Sequence, residues 1–417
     1  MVSITHRLLH VLAAMLPIHA FAQYSRIHSP EVASLSVVAG TEWLDMPIVA
    51  LGGDKNINIS FDCMGHGYRR LAYRLEHCDA EWNTSEDIFA SDYCEGFADG
   101  NVIEHARESV NTNVAYTHYS LQIPNSDCVP KIGGNYRLHV YDDNEGDTLL
   151  TACFMINENI VRTAVSATSN TDIDVNGRHQ QVAAEVVYGT CRTSDPQRNF
   201  RTVVMQNGRW ETSRRDMRPQ TLNAVGMGWN NCRELIFDGG NEYRKFEILD
   251  VFHPALGIER IDWDGSNYNA YVWEDGPRRN YVYDEDANGA FCIRTDDYCD
   301  DEVMSEYIIV HFTLNAPRQA GRVFIEGKWT CGPDNSLYEM HYNETLRRYE
   351  GKAMLKQGYY SYQYVVVDND GKVSLPESEG NFYQTENSYE TLVYYKGDSE
   401  RAFRLVGYGK TDFRSDR

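Results

Sequence analysis

The chain has 417 residues, too many for one compact core, and a length of this order divides into about two to four domains. Hydrophobic residues make up 42%, charged residues 24% and aromatics 12%, led by 28 Tyr, a composition that excludes general disorder and leans toward strands. A formal charge of −22 repels phosphate backbones and anionic lipid headgroups, which leaves solubility or a basic or neutral protein partner as its use and predicts no nucleic-acid partner.

Residues 1–22 read as a secretory signal. His6 and Arg7 form the n-region, Leu8 to Ile18 the apolar stretch, and Ala20-Phe21-Ala22 a small-x-small cleavage site. Position 23 is Gln rather than Cys, so no lipid is expected at the new terminus, and no later run reaches the roughly 18 apolar residues of a spanning helix. The mature chain is therefore expected to be exported without inserting directly into a membrane. Of its ten cysteines none forms a C-x-x-C pair, which speaks against a zinc knuckle or a thioredoxin-type centre; disulfides and buried free thiols both remain open.

Short alternating segments separated by Gly, Asn and Asp recur along the chain, and long helical periods are missing, so the expected fold is all-β, with tandem antiparallel immunoglobulin-like β-sandwich domains. The boundaries are expected at 23–160, 161–300 and 301–400, followed by a tail over 401–417. Tyr136, Leu138 and Val140 share one strand face, Asp142 to Asp147 make a turn, and Leu149 to Met155 begin the return strand. Further on, Ile308 to Leu314, Arg322 to Ile325, Tyr349 to Leu355, Tyr359 to Val367 and Thr391 to Tyr395 supply five strands of a last sandwich, with Asp368-Asn369-Asp370-Gly371 as a hairpin turn.

Motifs for chemistry are sparse. Asp284-x-Asp286-x-Asn288-Gly289 matches half of a calcium loop, but Thr295 stands where a bidentate Glu belongs, and the flanks Tyr281-Val282-Tyr283 and Phe291-Cys292-Ile293 read as strands, which favours a hairpin turn. Gly409-Lys410-Thr411 ends like a phosphate-binding loop, with Arg404 in place of the earlier glycine and no helix behind it. Local signatures of zinc proteases, serine hydrolases and dinucleotide enzymes are absent. Adjacent residues of a strand point to opposite faces, so His77-Cys78-Asp79 reads as structural rather than nucleophilic. No cofactor, no metal and no catalytic residue is expected.

Several ordered stretches carry a resemblance: His77-Cys78-Asp79-Ala80-Glu81-Trp82, Asp92-Tyr93 with Glu95-Gly96-Phe97, Asn111-Thr112-Asn113 with Tyr116-Thr117-His118-Tyr119, Ile123-Pro124-Asn125, and Gly134-Asn135-Tyr136-Arg137-Leu138. Downstream come Gln206-Asn207-Gly208-Arg209-Trp210, Gly240-Asn241-Glu242-Tyr243-Arg244, Lys356-Gln357-Gly358-Tyr359-Tyr360, and Glu379-Gly380-Asn381-Phe382 with Thr385-Glu386-Asn387. Together they resemble the type IX secretion system plug proteins. That resemblance implies a non-catalytic periplasmic subunit whose partner is the outer-membrane translocon β-barrel protein, which it seals at the inner opening when no cargo passes.

The last unit, through Val323-Phe324-Ile325-Glu326-Gly327, Met340 and Gly358-Tyr359 to Val366-Val367-Asp368, is similar to glycogen-binding modules. No Trp follows Trp329, so the sugar-stacking ring of that family lacks a counterpart. The sandwich architecture and its aromatics still leave an alternative function, a periplasmic or surface glycan-binding β-sandwich protein. Trp329, Tyr359 and Tyr360 are the candidate partner or glycan contacts, against the simpler reading that these rings pack a core.

Overall fold

The structure, a computed structural model, describes residues 23–296 and 300–415. The signal segment, residues 1–22, lies outside the described residues, as does Cys299. The fold is all-β, built from several mainly antiparallel sheets.

The N-terminal unit packs two sheets against each other. Gly134–Asp142 and Thr148–Asn157 form the expected hairpin, with Tyr136 opposite Phe154 and Leu138 opposite Ala152. Tyr136, Leu138 and Val140 are fully buried, as the period-2 alternation requires. Leu71–Cys78 lies on the other side of that hairpin. The facing sheet has Val32–Ala39, Ile57–Met64 and Tyr116–Ile123 in order, and the core between them includes Ile59, Phe61, Leu75 and Leu121.

The middle unit departs from the expected division. Arg162–Thr168, His179–Val187 and Gly226–Trp229 form one sheet. The other pairs Phe200–Gln206 with Asn387–Tyr395, which in turn pairs with Arg404–Phe413. Thr391 to Tyr395 therefore does not complete the last sandwich, and the segment expected as a tail over 401–417 holds Arg404–Phe413, a strand of the middle unit. Val393, Val406 and Tyr389 share a core with Val182, Val204 and Trp229, and that shared apolar face draws the chain back.

The last unit takes in strands assigned by sequence to the middle. Arg244–Ile248 and Phe291–Ile293 pair with Gly358–Val367, while Ile258–Trp263 and Tyr268–Val272 extend the sheet beside Tyr307–Leu314. Tyr307–Leu314 pairs with Arg348–Lys356, and Arg322–Glu326 with Gly358–Val367. The expected turn after Val367 closes onto Val373–Ser374. Tyr281 to Tyr283 joins no ladder, so the half-calcium motif is not a hairpin turn between two strands. Asp286 there accepts backbone N–H groups of Tyr243 and Asn288, and Asp284 pairs with Lys245. Gly409-Lys410-Thr411 lies within the regular strand Arg404–Phe413.

Candidate docking surface

Trp329 and Tyr360 lie in the core of the last unit, 5% and 2% exposed. Trp329 donates its indole N–H to the carbonyl of Ser361 at 2.9 Å, and its ring meets Tyr338 and Tyr360 edge-on. Both rings pack in the apolar cluster that includes Phe246 and Phe312, and the strand Gly358–Val367 that carries Tyr360 is buried on both faces. Tyr359 alone is half-buried, with Trp43 of the N-terminal unit edge-on at 6.0 Å and the Arg294 guanidinium over its face. Packing is thus the role of two of the three candidates.

The motifs that carried the resemblance hold the units together. In His77-Cys78-Asp79-Ala80-Glu81-Trp82, His77 is clamped between Ser85 Oγ (2.8 Å) and the Gly133 carbonyl (3.1 Å), and burial pulls its pKa down to about 4. Trp82 packs edge-on against Trp210 of the middle unit at 5.6 Å, inside an apolar seam with Met155, Met205 and Leu392. Asn135 accepts the Tyr394 hydroxyl across the same seam at 2.8 Å.

A second seam joins the N-terminal and last units around a buried carboxylate. Asp62 accepts from Lys356 Nζ at 2.9 Å and from the Tyr307 hydroxyl at 2.7 Å, and His118 Nδ1 lies 2.6 Å from its other oxygen. Lys356 also donates to the Glu302 carbonyl and stands 4.1 Å over the Tyr116 ring. Nearby, Glu306 accepts from the backbone N–H groups of Asn113 and Val114. Desolvation lowers the Lys356 pKa, against the pull of Asp62.

A third set ties the last unit to the returning chain. Glu379 is buried between Arg244 and Arg278, whose charges outweigh desolvation and hold its carboxyl below the usual range. Arg244 continues to Asp275 at 2.7 Å, which also accepts the hydroxyls of Tyr362 and Tyr364. Asn241 donates to the Glu379 carbonyl, and Asn381 accepts from the Gly240 N–H. Gly239 is required here, since a Cβ would lie 2.1 Å from the Phe382 carbonyl.

All three units meet at a cavity of about 140 Å³ lined in part by Tyr24, Met46, Trp82, Arg209, Tyr243 and Glu326. Arg209 Nε donates to Glu211 at 2.6 Å, Tyr24 donates its hydroxyl to the same carboxylate, and Gln363 donates to Glu326 at 2.7 Å. Buried polar seams of this kind specify one relative arrangement, because any other leaves charges unpaired.

Among the exposed aromatics of this body, which also include Tyr68, Phe89 and Trp273, two groups stand at sheet or ribbon edges. Phe252 is 73% exposed and Trp263 49%, and both rings meet Tyr268, at 6.0 and 4.8 Å. Trp263 ends Ile258–Trp263, the edge strand of its sheet, whose backbone groups are open to a further strand. On the N-terminal unit, Phe97 is 71% exposed beside the ribbon of Cys94–Gly96 and Cys128–Pro130. Sequence reasoning missed Phe252 and Trp263; the only available signal was aromatic residues in a segment otherwise rich in charge.

Among the described residues no group of three or more His, Cys, Asp or Glu is placed to hold a metal ion, and no helix is long and apolar enough to cross a membrane. The chain is thus an all-β protein of packed β-sandwich units joined by buried polar seams. Residues 32–158 match the type 9 secretion system plug protein 1st domain. The first unit of the chain is thus a type 9 secretion system plug protein domain. Its role is accordingly that of a plug-like secretion component of the cell envelope.

A hypothetical protein from Parabacteroides merdae ATCC 43184, known from a crystal structure at 2.30 Å, is similar over 94% of this chain and 99% of its own, at 34% identity and a TM-score of 0.90. The C-terminal domain of the Streptococcus pyogenes antigen I/II-family protein AspA is 7% identical over 91% of this chain and 99% of its own, with a TM-score of 0.17 that carries no structural likeness. No curated protein matches.

Proposed function

We propose that this protein is exported, docks on the periplasmic opening of the outer-membrane translocon β-barrel of a type IX secretion system, and closes that opening while no cargo passes. The observation that carries the reading is the plug-domain match over 32–158, in a unit fixed to the other two through buried seams. A seal must hold its shape against a wide rim, and a body whose units are joined by desolvated ion pairs resists the hinge motion that would open it. Two surfaces are offered to the partner: the Phe252, Trp263 and Tyr268 patch at a sheet edge, and the Phe97 ribbon. Exposed aromatics at an otherwise strongly acidic surface supply apolar anchoring within a polar rim.

The test is mild crosslinking in the envelope followed by affinity purification of the mature chain. Recovery of a very large outer-membrane barrel is expected, and a Phe252→Ser/Trp263→Ser variant should recover less of it. A deletion strain should admit an outer-membrane-impermeant dye, and one that excludes it as well as the parent would refute the sealing role. For the glycan-binding alternative only Tyr359 keeps part of its ring at the surface, since Trp329 and Tyr360 are enclosed in the core.

A further inference from the structure

The ribbon beside Phe97 carries two cysteines on one face. Its register sets Cys94 opposite Pro130 and Cys128 opposite Gly96, which makes the cysteines diagonal neighbours. That face is turned inward: Cys94 is 4% exposed and Cys128 0%, and both belong to the core of the N-terminal unit. Their sulfurs lie 3.3 Å apart. A covalent S–S bond of about 2.05 Å asks them to approach by about 1.3 Å, within the reach of small side-chain rotations.

The backbone already holds both residues in place. Asn125 Oδ1 accepts from the N–H groups of Asp127 and Cys128, at 3.0 and 2.9 Å, and so fixes the turn that enters the second strand. Phe97 donates its N–H to the Asp127 carbonyl at 2.8 Å. Gly96 has φ +88°, and a Cβ there would lie 2.1 Å from that same carbonyl, so the close approach of the strands depends on glycine.

We propose that Cys94 and Cys128 form a disulfide in the exported protein, closing the chain over residues 94–128 and pinning the Phe97 ribbon to the core. The inference rests on the export part of the proposed function and not on the sealing role. The oxidant is a thiol–disulfide exchange carrier of the envelope. One cysteine thiolate attacks the carrier disulfide to give a mixed disulfide and frees one carrier thiolate. The second cysteine thiolate then displaces the carrier, which leaves as a dithiol, so the protein loses two protons and two electrons and the carrier gains them. Burial raises the Cys128 thiol well above its ordinary range, which suppresses the thiolate in the folded state. The bond is therefore made while the chain folds, before the core closes over the ribbon.

The test uses the protein recovered from the envelope fraction of cells that export it. Thiols are trapped with N-ethylmaleimide in acidified denaturant, and the unreduced digest is read by mass spectrometry. The expected result is a linked peptide pair containing Cys94 and Cys128, two hydrogens lighter than the sum of its parts, from which reductant frees both thiols for labelling. A Cys94→Ser variant should leave Cys128 fully labelled without reductant. Envelope-located protein in which both thiols take the label without reduction, or in which either is linked elsewhere, overturns the bond and leaves the export reading standing.

Discussion

Replacing Lys356 by methionine keeps the aliphatic stem and removes the ammonium from the seam between the N-terminal and last units. Three contacts disappear: the 2.9 Å bond to Asp62, the 2.6 Å bond to the Glu302 carbonyl, and the placement over Tyr116. The side chains of Lys356 and Asp62 are 2% and 1% exposed, so water cannot replace the lost partner. Breaking a buried pair from one side costs about 3–5 kcal/mol. Asp62 keeps the Tyr307 hydroxyl and His118 Nδ1, which places Lys356→Met near the low end, about 3 kcal/mol. Asp62→Asn/Lys356→Met removes both charges and should recover most of that loss, to within about 1 kcal/mol of the parent. Urea unfolding followed by fluorescence and circular dichroism measures the four-variant cycle. The control is Lys55→Met at the solvent-exposed Lys55–Glu42 pair, expected to change stability by no more than about 0.5 kcal/mol. If Lys356→Met falls with that control, the seam is not held by this pair and the argument for a rigid body fails.

Burial raises the Glu390 and Asp286 carboxyls to about 7, above their ordinary 4.5 and 3.8. The folded chain then holds protons that the unfolded chain has released, so stability falls as pH rises between those values and levels off above about 7. Urea midpoints across that interval should drop with pH, and Glu390→Gln should make the decline shallower. Trp329→Ala should cost about 3–5 kcal/mol by thermal or urea unfolding, as expected for a core ring and not for a surface contact. Gly96→Ala should open the Phe97 ribbon, read as faster amide exchange at Phe97, whose N–H is bonded to Asp127. Phe252→Ser/Trp263→Ser should leave the unfolding midpoint nearly unchanged while reducing barrel recovery, which separates docking from folding.

The legible parts of this fold were those whose signal is local. The alternation of Tyr136, Leu138 and Val140, followed by an acidic turn, marks a hairpin without reference to anything distant. The strands of the last sandwich read equally well from Ile308 to Val367. Thr391 to Tyr395 also reads as a strand, but its partner is Phe200–Gln206, and nothing within its own segment distinguishes that neighbour from a nearer one. Tyr281 to Tyr283 shows the opposite failure, alternating apolar character with no ladder to join. Tyr360 was ambiguous because a ring in a strand buried on both faces has the same local sequence pattern as one presented to solvent, and Trp329 because its short 3-10 turn, Lys328–Thr330, carries no periodic pattern. Trp82, Trp210 and Lys356 stood in ordered motifs and Asp62 did not, yet Asp62 with Lys356 and Trp82 with Trp210 acquire their roles only once separate units touch.

The pairing of Phe200–Gln206 with Asn387–Tyr395 and Arg404–Phe413 also dictates an order of events during biogenesis. Half of one sheet must wait, uncovered, until some 180 residues of later chain have been made. A polar substitution at Val406 would therefore strike the core it shares with Val182, Val204 and Trp229, and so unsettle strands laid down long before it.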